Sequence, residues 1–245
     1  MILELDCGNS FIKWRVLDAE TNDSLSGGVA VSVSELLQSV SACSKPLARG
    51  RMVSVRSDAE TKRLCSSLEG ALGVRISCAR PSRELGGVVN GYDDYARLGL
   101  DRWLAIVAAY NMDARAALVL DLGTAVTADL ISGSGIHLGG YIAPGMPLLR
   151  HQLQTHTQRV RYDLIEAVSA AQELVPGRST AEAVERGCLL MLRSFVKTQI
   201  ECARSTFRDD VTVFATGGDA ALIIDIPAVR HIPDLVFRGL AIACP

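Results

Sequence analysis

The sequence predicts an α/β protein made of two similar domains. Three observations carry this expectation. Apolar strand-like runs alternate with helical segments along the chain. One short pattern occurs twice, as ILELDCGNS at 2–10 and LVLDLGTAV at 118–126: an apolar strand, an aspartate, one residue, a glycine, then a small polar residue. The two aspartates, Asp6 and Asp121, stand 115 positions apart in a chain of 245 residues, a length that accommodates one large domain or two small ones.

The elements follow in order. Residues 1–6 and 11–18 read as strands joined by the CGNS turn, and 27–33 as a third strand. Residues 34–43 read as a helix with Ser34 as its cap. Residues 51–57 are an expected strand, 58–72 an amphipathic helix capped by Asp58, and 74–79 the next strand. Glycine, proline and asparagine crowd 80–95, so this stretch reads as a loop. LGLDRWLAIVAAYNM at 98–112 reads as a helix, and the nearly unbroken apolar run 116–123 as a strand. Residues 127–132 and 136–143 form an expected hairpin through the GSG turn at 133–135. Helices are expected at 146–158, 162–172 and, at length, 180–206. The strand 211–218 then ends in TGG, with a helix starting at Asp219. The end of the chain reads as short helix or strand. The best boundary falls near 112–116, giving expected domains of 1–114 and 115–245.

Composition removes several function classes. Hydrophobic residues make up 49% and charged residues 21%, a globular balance that argues against disorder. The net charge is −2 with no basic block, and aromatics are only 5%. Neither backbone attraction nor stacking therefore favours a nucleic-acid partner. The seven cysteines (7, 43, 65, 78, 188, 202 and 244) form no CxxC pair, so neither a zinc site nor a disulfide framework is indicated. They read as reduced thiols of a cytoplasmic protein, many of them buried. Glu4 and Asp6 break the first apolar run, which has no basic start, so no signal peptide is expected. No uncharged apolar run is long enough for a membrane span.

A strand ending in Asp-x-Gly sets a carboxylate at the strand's edge. Glycine lets the backbone fold back where a Cβ would clash. Backbone N–H groups and small hydroxyls at such a turn can face phosphate oxygens. The carboxylate suits Mg²⁺, which takes one or two carboxylates beside phosphates and keeps several waters. Lys13 adds a point charge. The first turn thus reads as a phosphate and metal cradle. It is not a P-loop, because GxxxxGK[ST] is absent, and neither turn extends to GxGxxG. Gly217 and Gly218 in TGG would allow close approach of a ligand to backbone.

The two turns and TGG, in this order, resemble the ATP-binding core of the actin, sugar-kinase and heat-shock ATPase superfamily. The resemblance implies two ribonuclease H-like (actin-like ATPase) domains with an ATP cleft between them. Further blocks sharpen it. DxGNSxxK, NGYDDYARLGLDRW, DLGT-A-T, GGYIxPG, RSTAEAVERG and TGG together resemble type III pantothenate kinases over essentially the whole chain. One departure is Tyr95, where that family often has proline.

That resemblance implies phosphorylation of pantothenate by ATP, the first step of coenzyme A synthesis. It assigns Asp6, Gly8, Asn9, Ser10, Lys13, Thr124, Gly217 and Gly218 to ATP, with Asp6 helping to hold Mg²⁺. Asp101 would take or orient the acceptor hydroxyl's proton, as kinase aspartates do. Tyr92, Gly99, Arg102 and Thr180 would bind the acceptor, Arg102 with its planar fork. Asp121 would help bind a monovalent cation, K⁺ or NH₄⁺. The family forms homodimers, so the apolar face of 180–206 reads as core or subunit interface. His151 and His156 are five apart, not the spacing of a helical metal pair, and His137 reads as local hydrogen bonding.

Two rivals stand beside this reading. One is another small-molecule kinase or phosphatase of the same superfamily, with unchanged ATP-side motifs; the GxDRW and Tyr92 block favours pantothenate. The other is a non-catalytic transcriptional accessory protein. It would need a helix-turn-helix with a basic face, and none is evident.

Overall fold

The chain begins by building a five-stranded sheet. The structure is a computed structural model and describes residues 1–41, 46–170, 174–227 and 229–245. Strand β1 (Ile2–Cys7) turns into β2 (Ile12–Leu17) and β3 (Ser24–Ala30), all antiparallel. Helix α1 (Val33–Ser41) returns the chain to β4 (Arg49–Ser54), which lies parallel to β1. Helix α2 (Asp58–Leu72) then leads to β5 (Ile76–Cys78), parallel to β4. The sheet order is β3-β2-β1-β4-β5. β1 is central, and its Leu3, Leu5 and Cys7 are fully buried in the core. A strand covered on both faces must be apolar nearly throughout, which is what ILELDC offers.

The expected loop at 80–95 contains a small hairpin, β6 (Glu84–Leu85) and β7 (Val88–Val89). Gly86 and Gly87, both at positive φ, make its two-residue turn, as hairpins of that length require. A 3₁₀ turn at Tyr95–Arg97 precedes α3 (Leu100–Asp113). Trp103 to Ala109 of α3 are all buried, as expected of a helix that is apolar around its circumference.

The second half repeats the plan. Strands β8 (Ala117–Leu122), β9 (Ala125–Ile131) and β10 (His137–Pro144) are antiparallel. Helices α4 (Met146–His156), α5 (Leu164–Ala170) and α6 (Thr180–Phe207) follow. Strand β11 (Thr212–Thr216) runs parallel to β8, and β12 (Val229–His231) parallel to β11. The order β10-β9-β8-β11-β12 is that of the first sheet. Leu189, Leu192, Val196, Ile200 and Ala203 of α6 enter the core of this half. The last helix is α7 (Leu235–Ala243).

Several local expectations change. Helix α1 is capped by Ser32, whose hydroxyl accepts the Glu35 N–H at 3.2 Å, not by Ser34. Helix α2 is capped by Ser57 in a reciprocal pair with Glu60, and Asp58 is its first residue. Both changes follow the same rule: the capping oxygen must reach the N–H three residues on. After TGG there is only a short 3₁₀ turn at Ala220–Ile223, not the start of an α-helix. Of the six cysteines described, all free, only Cys7 and Cys188 are buried. Cys43 and the expected helix ends at 42–43 and 171–172 lie outside the described residues.

The chain forms two compact units, 1–112 with 234–245, and 113–233. The expected division at 114/115 placed 234–245 with the second half. The reason for the difference lies in α7. Its Leu235, Val236 and Leu240 are buried, and a Cβ at Gly239 would overlap the Leu104 carbonyl of α3. Charge reinforces the contact. Glu4, fully buried in β1, pairs with Arg15 and, at 2.6 Å, with Arg51. Arg15 reaches Asp234 at 2.9 Å and lies over the Phe237 ring. Arg51 donates to the Cys244 carbonyl at 3.1 Å.

Candidate active site

In the first unit, Asp6 lies near the C-terminal end of β1, directly opposite Lys13 on β2. Paired residues of neighbouring strands present side chains on one face, so a carboxylate and an ammonium share it. Helix α3 brings Asp101 in its first turn. Burial pushes the Asp6 carboxyl up to about 6; Lys13 pulls it down and the negative charge of Asp101 pushes it further up. Asp6 accepts no hydrogen bond among the described residues. Two carboxylates with one ammonium beside them, one carboxylate desolvated and unbonded, match the donor set of a divalent cation.

The turn after Asp6 is tight. A Cβ on Gly8 would lie 3.3 Å from the Phe11 carbonyl oxygen. Asn9 and Ser10 are exposed, and among the described residues neither N–H donates to a protein acceptor. The turn is anchored from the segment after β4: the Val55 N–H donates to the Cys7 carbonyl at 3.2 Å and Arg56 Nε to the Gly8 carbonyl at 2.9 Å. No sequence motif marks Arg56.

The segment from Asn90 to Arg102 is built around two partners. Arg102, buried in α3, donates from Nη1 to the Tyr92 hydroxyl at 2.9 Å and lies 5.8 Å from that ring's centroid. Gly99 leaves room for Asp101, whose Oδ1 would crowd a Cβ there. Asn90, which the sequence reading passed over, organises the loop from within. Buried, it accepts the Tyr92 N–H at 3.0 Å and donates to the Tyr95 carbonyl at 3.4 Å. Asp94 caps the following turn through the Ala96 N–H. Tyr95 is therefore the first residue of a helical turn, the position where proline fits best. The departure from proline leaves that turn intact.

In the second unit Asp121 ends β8 as Asp6 ends β1, opposite Thr127 on β9 and beside Thr216 on β11. Three segments interlock here. The Gly145 N–H donates to the Thr124 carbonyl and the Asp219 N–H to the Leu122 carbonyl, at 3.0 and 2.9 Å. Gly217, at φ 96°, is required: a side chain would run into the Leu122 carbonyl and Asp121 Oδ1. Gly123, by contrast, has ordinary space around it. Gly218 is exposed. Asp219 Oδ2 is buried without a hydrogen bond, and burial raises its carboxyl while Arg150 lowers it. Thr180, also in this unit, is exposed and opens α6, after Ser179 caps it through the Glu182 N–H.

Of the expected site residues, Asp6, Gly8, Asn9, Ser10, Lys13, Tyr92, Gly99, Asp101 and Arg102 fall in the first unit, and Asp121, Thr124, Thr180, Gly217 and Gly218 in the second. A cluster around buried Glu185 went unseen in the sequence. Glu185 of α6 takes Arg150 of α4 bidentately, at 2.6–2.8 Å, and the Tyr162 hydroxyl at 2.9 Å. Its members are 23 and 35 positions from Glu185, with no motif joining them. His137 pairs with Asp129 inside the sheet at 3.0 Å, a local role as expected. Among the described residues no group of three or more His, Cys, Asp and Glu forms a metal cage, and no helix is long and apolar enough to cross a membrane.

Comparison with known proteins agrees with this geometry. The structure is similar over nearly all of both chains to a Campylobacter jejuni protein assigned to the Baf family of transcriptional activators, with a TM-score of 0.62 at 20% identity, covering 98% of this chain and 95% of that one. It is also similar to a ROK family glucokinase from Streptomyces griseus, solved with glucose and AMPPNP, with a TM-score of 0.53 at 13% identity, covering 98% and 97%. These likenesses establish the fold as that of the actin-like ATPases and sugar kinases. In sequence, the chain is 60% identical over 247 residues to the type III pantothenate kinase of Pseudomonas syringae pv. syringae, and 58% over 246 residues to that of Ectopseudomonas mendocina. Each alignment spans 100% of this chain and 99% of the relative. The family model for type III pantothenate kinase matches residues 2–202. With strand-end aspartates in both halves, the Tyr92–Arg102 pair and full-length identity of this order, the chain belongs to the type III pantothenate kinase family.

Proposed function

We infer that the chain transfers the terminal phosphoryl group of ATP to the primary hydroxyl of pantothenate, giving 4′-phosphopantothenate for coenzyme A synthesis. One observation carries the reading beyond family membership. Asp6, Lys13 and Asp101 interact electrostatically in the same unit that pairs Arg102 with Tyr92. Phosphoryl transfer is mostly positioning and charge neutralisation, and these groups suit both tasks.

Lys13 and the 8–10 turn bind phosphates, the turn through the Asn9 and Ser10 N–H groups, which meet no protein acceptor among the described residues. Asp6 is the residue that would hold Mg²⁺. The metal, when bound, neutralises charge on the phosphate oxygens. Asp101 accepts or orients the hydroxyl proton. Arg102 presents its guanidinium to the pantothenate carboxylate, oriented by the Tyr92 hydroxyl, and Thr180 bonds the acceptor. Thr124, Gly217 and Gly218 serve ATP, where the interlocked 122–124, 145 and 217–219 segments bring backbone close. Asp121 Oδ1 and the Leu122 carbonyl, which both flank Gly217, are hard oxygen donors of the kind K⁺ or NH₄⁺ takes. A homodimer is supported by Leu190 and Met191, which α6 leaves exposed, and a cytoplasmic location by the free thiols among the described residues.

The test is ADP release from ATP and Mg²⁺, with and without pantothenate, in potassium and then in sodium buffer. Dependence on both pantothenate and potassium supports the acceptor and the cation site together. Release that ignores pantothenate, or none at all, sinks the assignment and points to other hydroxyl acceptors.

A further inference from the structure

We propose that Arg56 is a positioning residue that holds the Gly8–Asn9 peptide with its N–H turned toward the nucleotide phosphates. The proposal rests on the pantothenate kinase reading, because it takes the 8–10 turn as the phosphate cradle. Arg56 stands in the segment between β4 and α2, half-buried, and its Nε donates to the Gly8 carbonyl at 2.9 Å. The preceding residue, Val55, donates its N–H to the Cys7 carbonyl at 3.2 Å. Two successive carbonyls of the first turn are therefore tied to two successive residues after β4.

The consequence follows from peptide geometry. The peptide unit is planar and trans, so its C=O and N–H point in opposite directions, and no cis bond occurs among the described residues. Clamping the Gly8 oxygen on the Arg56 side fixes the Asn9 N–H on the other. Among the described residues that N–H meets no protein acceptor, nor does the one of Ser10. A glycine peptide is also the one most able to flip, since Gly8 lacks the Cβ that would restrict it. The clamp removes that freedom. It also sets a cation on the carbonyl, which polarises the peptide and strengthens its N–H as a donor. Arg56 works through the turn and does not touch the nucleotide. A lysine there keeps a charged donor; a glutamine keeps a donor without charge.

The experiment uses the full chain with Arg56→Ala, Arg56→Lys and Arg56→Gln. Binding of MgATP is titrated calorimetrically without pantothenate, and steady-state constants are then taken with both substrates. Losing a hydrogen bond to a charged group weakens binding by about tenfold to a hundredfold. The expected result is a loss of that size in ATP affinity and KM for Arg56→Ala, with the KM for pantothenate within about twofold. Arg56→Lys should recover much of the loss, Arg56→Gln less, and millimolar guanidinium ion should partly restore Arg56→Ala. Unchanged ATP affinity in Arg56→Ala overturns the proposal. So does an equal rise in both KM values with a lowered melting temperature, which marks general destabilisation. If the unaltered protein fails to phosphorylate pantothenate, the function reading falls, while the ATP titration still decides the role of Arg56.

Discussion

At the scale of single residues, the informative groups are those the fold holds at an energetic disadvantage. Asp6 is one. Its carboxyl is raised from 3.8 to about 6, first by burial. An acid whose folded-state value is raised keeps its proton longer in the folded state than in the unfolded one. Stability therefore falls as pH rises from about 4 to about 6, and the penalty is complete above 6. A shift of this size corresponds to about 3 kcal/mol at most. Asp6→Asn should thus be more stable than the parent near pH 7.5 without nucleotide, and the gain should shrink toward pH 4. The same variant should lose most Mg²⁺-dependent turnover. Thermal melts at the two pH values check the first part; an equal difference at both would contradict it. Asp101→Asn should fold and bind ATP but lose about a hundredfold or more in kcat, the range of general acid–base contributions. Near-normal turnover would remove Asp101 from the proton role. These residues were legible in sequence because each sits in a short block. Arg56 and Asn90 were not, because what they do depends on carbonyls and N–H groups distant in the chain or bent back by a turn.

At the scale of elements, strands and helices came through almost in full, while their ends did not. The apolar runs at 2–7 and 117–122 can only be central strands, since both faces are covered. Helix starts depend on one hydroxyl reaching one N–H, and the sequence offered competing candidates. Ser57 won over Asp58 because only its oxygen meets the Glu60 N–H, at 3.4 Å, while Glu60 returns to the Ser57 N–H at 3.1 Å. Ser57→Ala should cost about 1 kcal/mol and lower the melting temperature of the first unit by about 2–8 °C. Its proximity to Arg56 makes ATP affinity the second readout, and this should hold. Asp58→Ala, removing the expected cap, should have the smaller effect on stability; the reverse order would refute the assignment.

At the scale of the whole molecule, the duplication is plain. Both sheets share one strand order, and Asp6 and Asp121 occupy the same place in each. The departure is the final segment. Residues 234–245 leave the half that precedes them and complete the first unit. Glu4, Arg15, Arg51 and Asp234 secure this exchange, and Gly239 makes the approach possible. Ending the chain at Pro233 should therefore damage the N-terminal half more than the C-terminal half. Leu104 would lose its cover, and Glu4 would keep two arginines with fewer partners. Hydrogen exchange should show faster exchange in β1 and α3 than in β8 and β11; uniform protection would count against this.

The sequence by itself determined the fold class, the repeated strand-to-turn plan and the motif blocks shared with the family. Those are written in local order: periodicity, turn residues and short motifs act within a few positions of each other. Only the tertiary structure decided which unit receives the last helix, which side chains hold the first turn and the 90–97 loop, and that Glu185 gathers Arg150 and Tyr162. Each depends on a contact across a long stretch of chain or on how a turn bends the backbone back on itself, and neither leaves a period or spacing in the sequence to announce it.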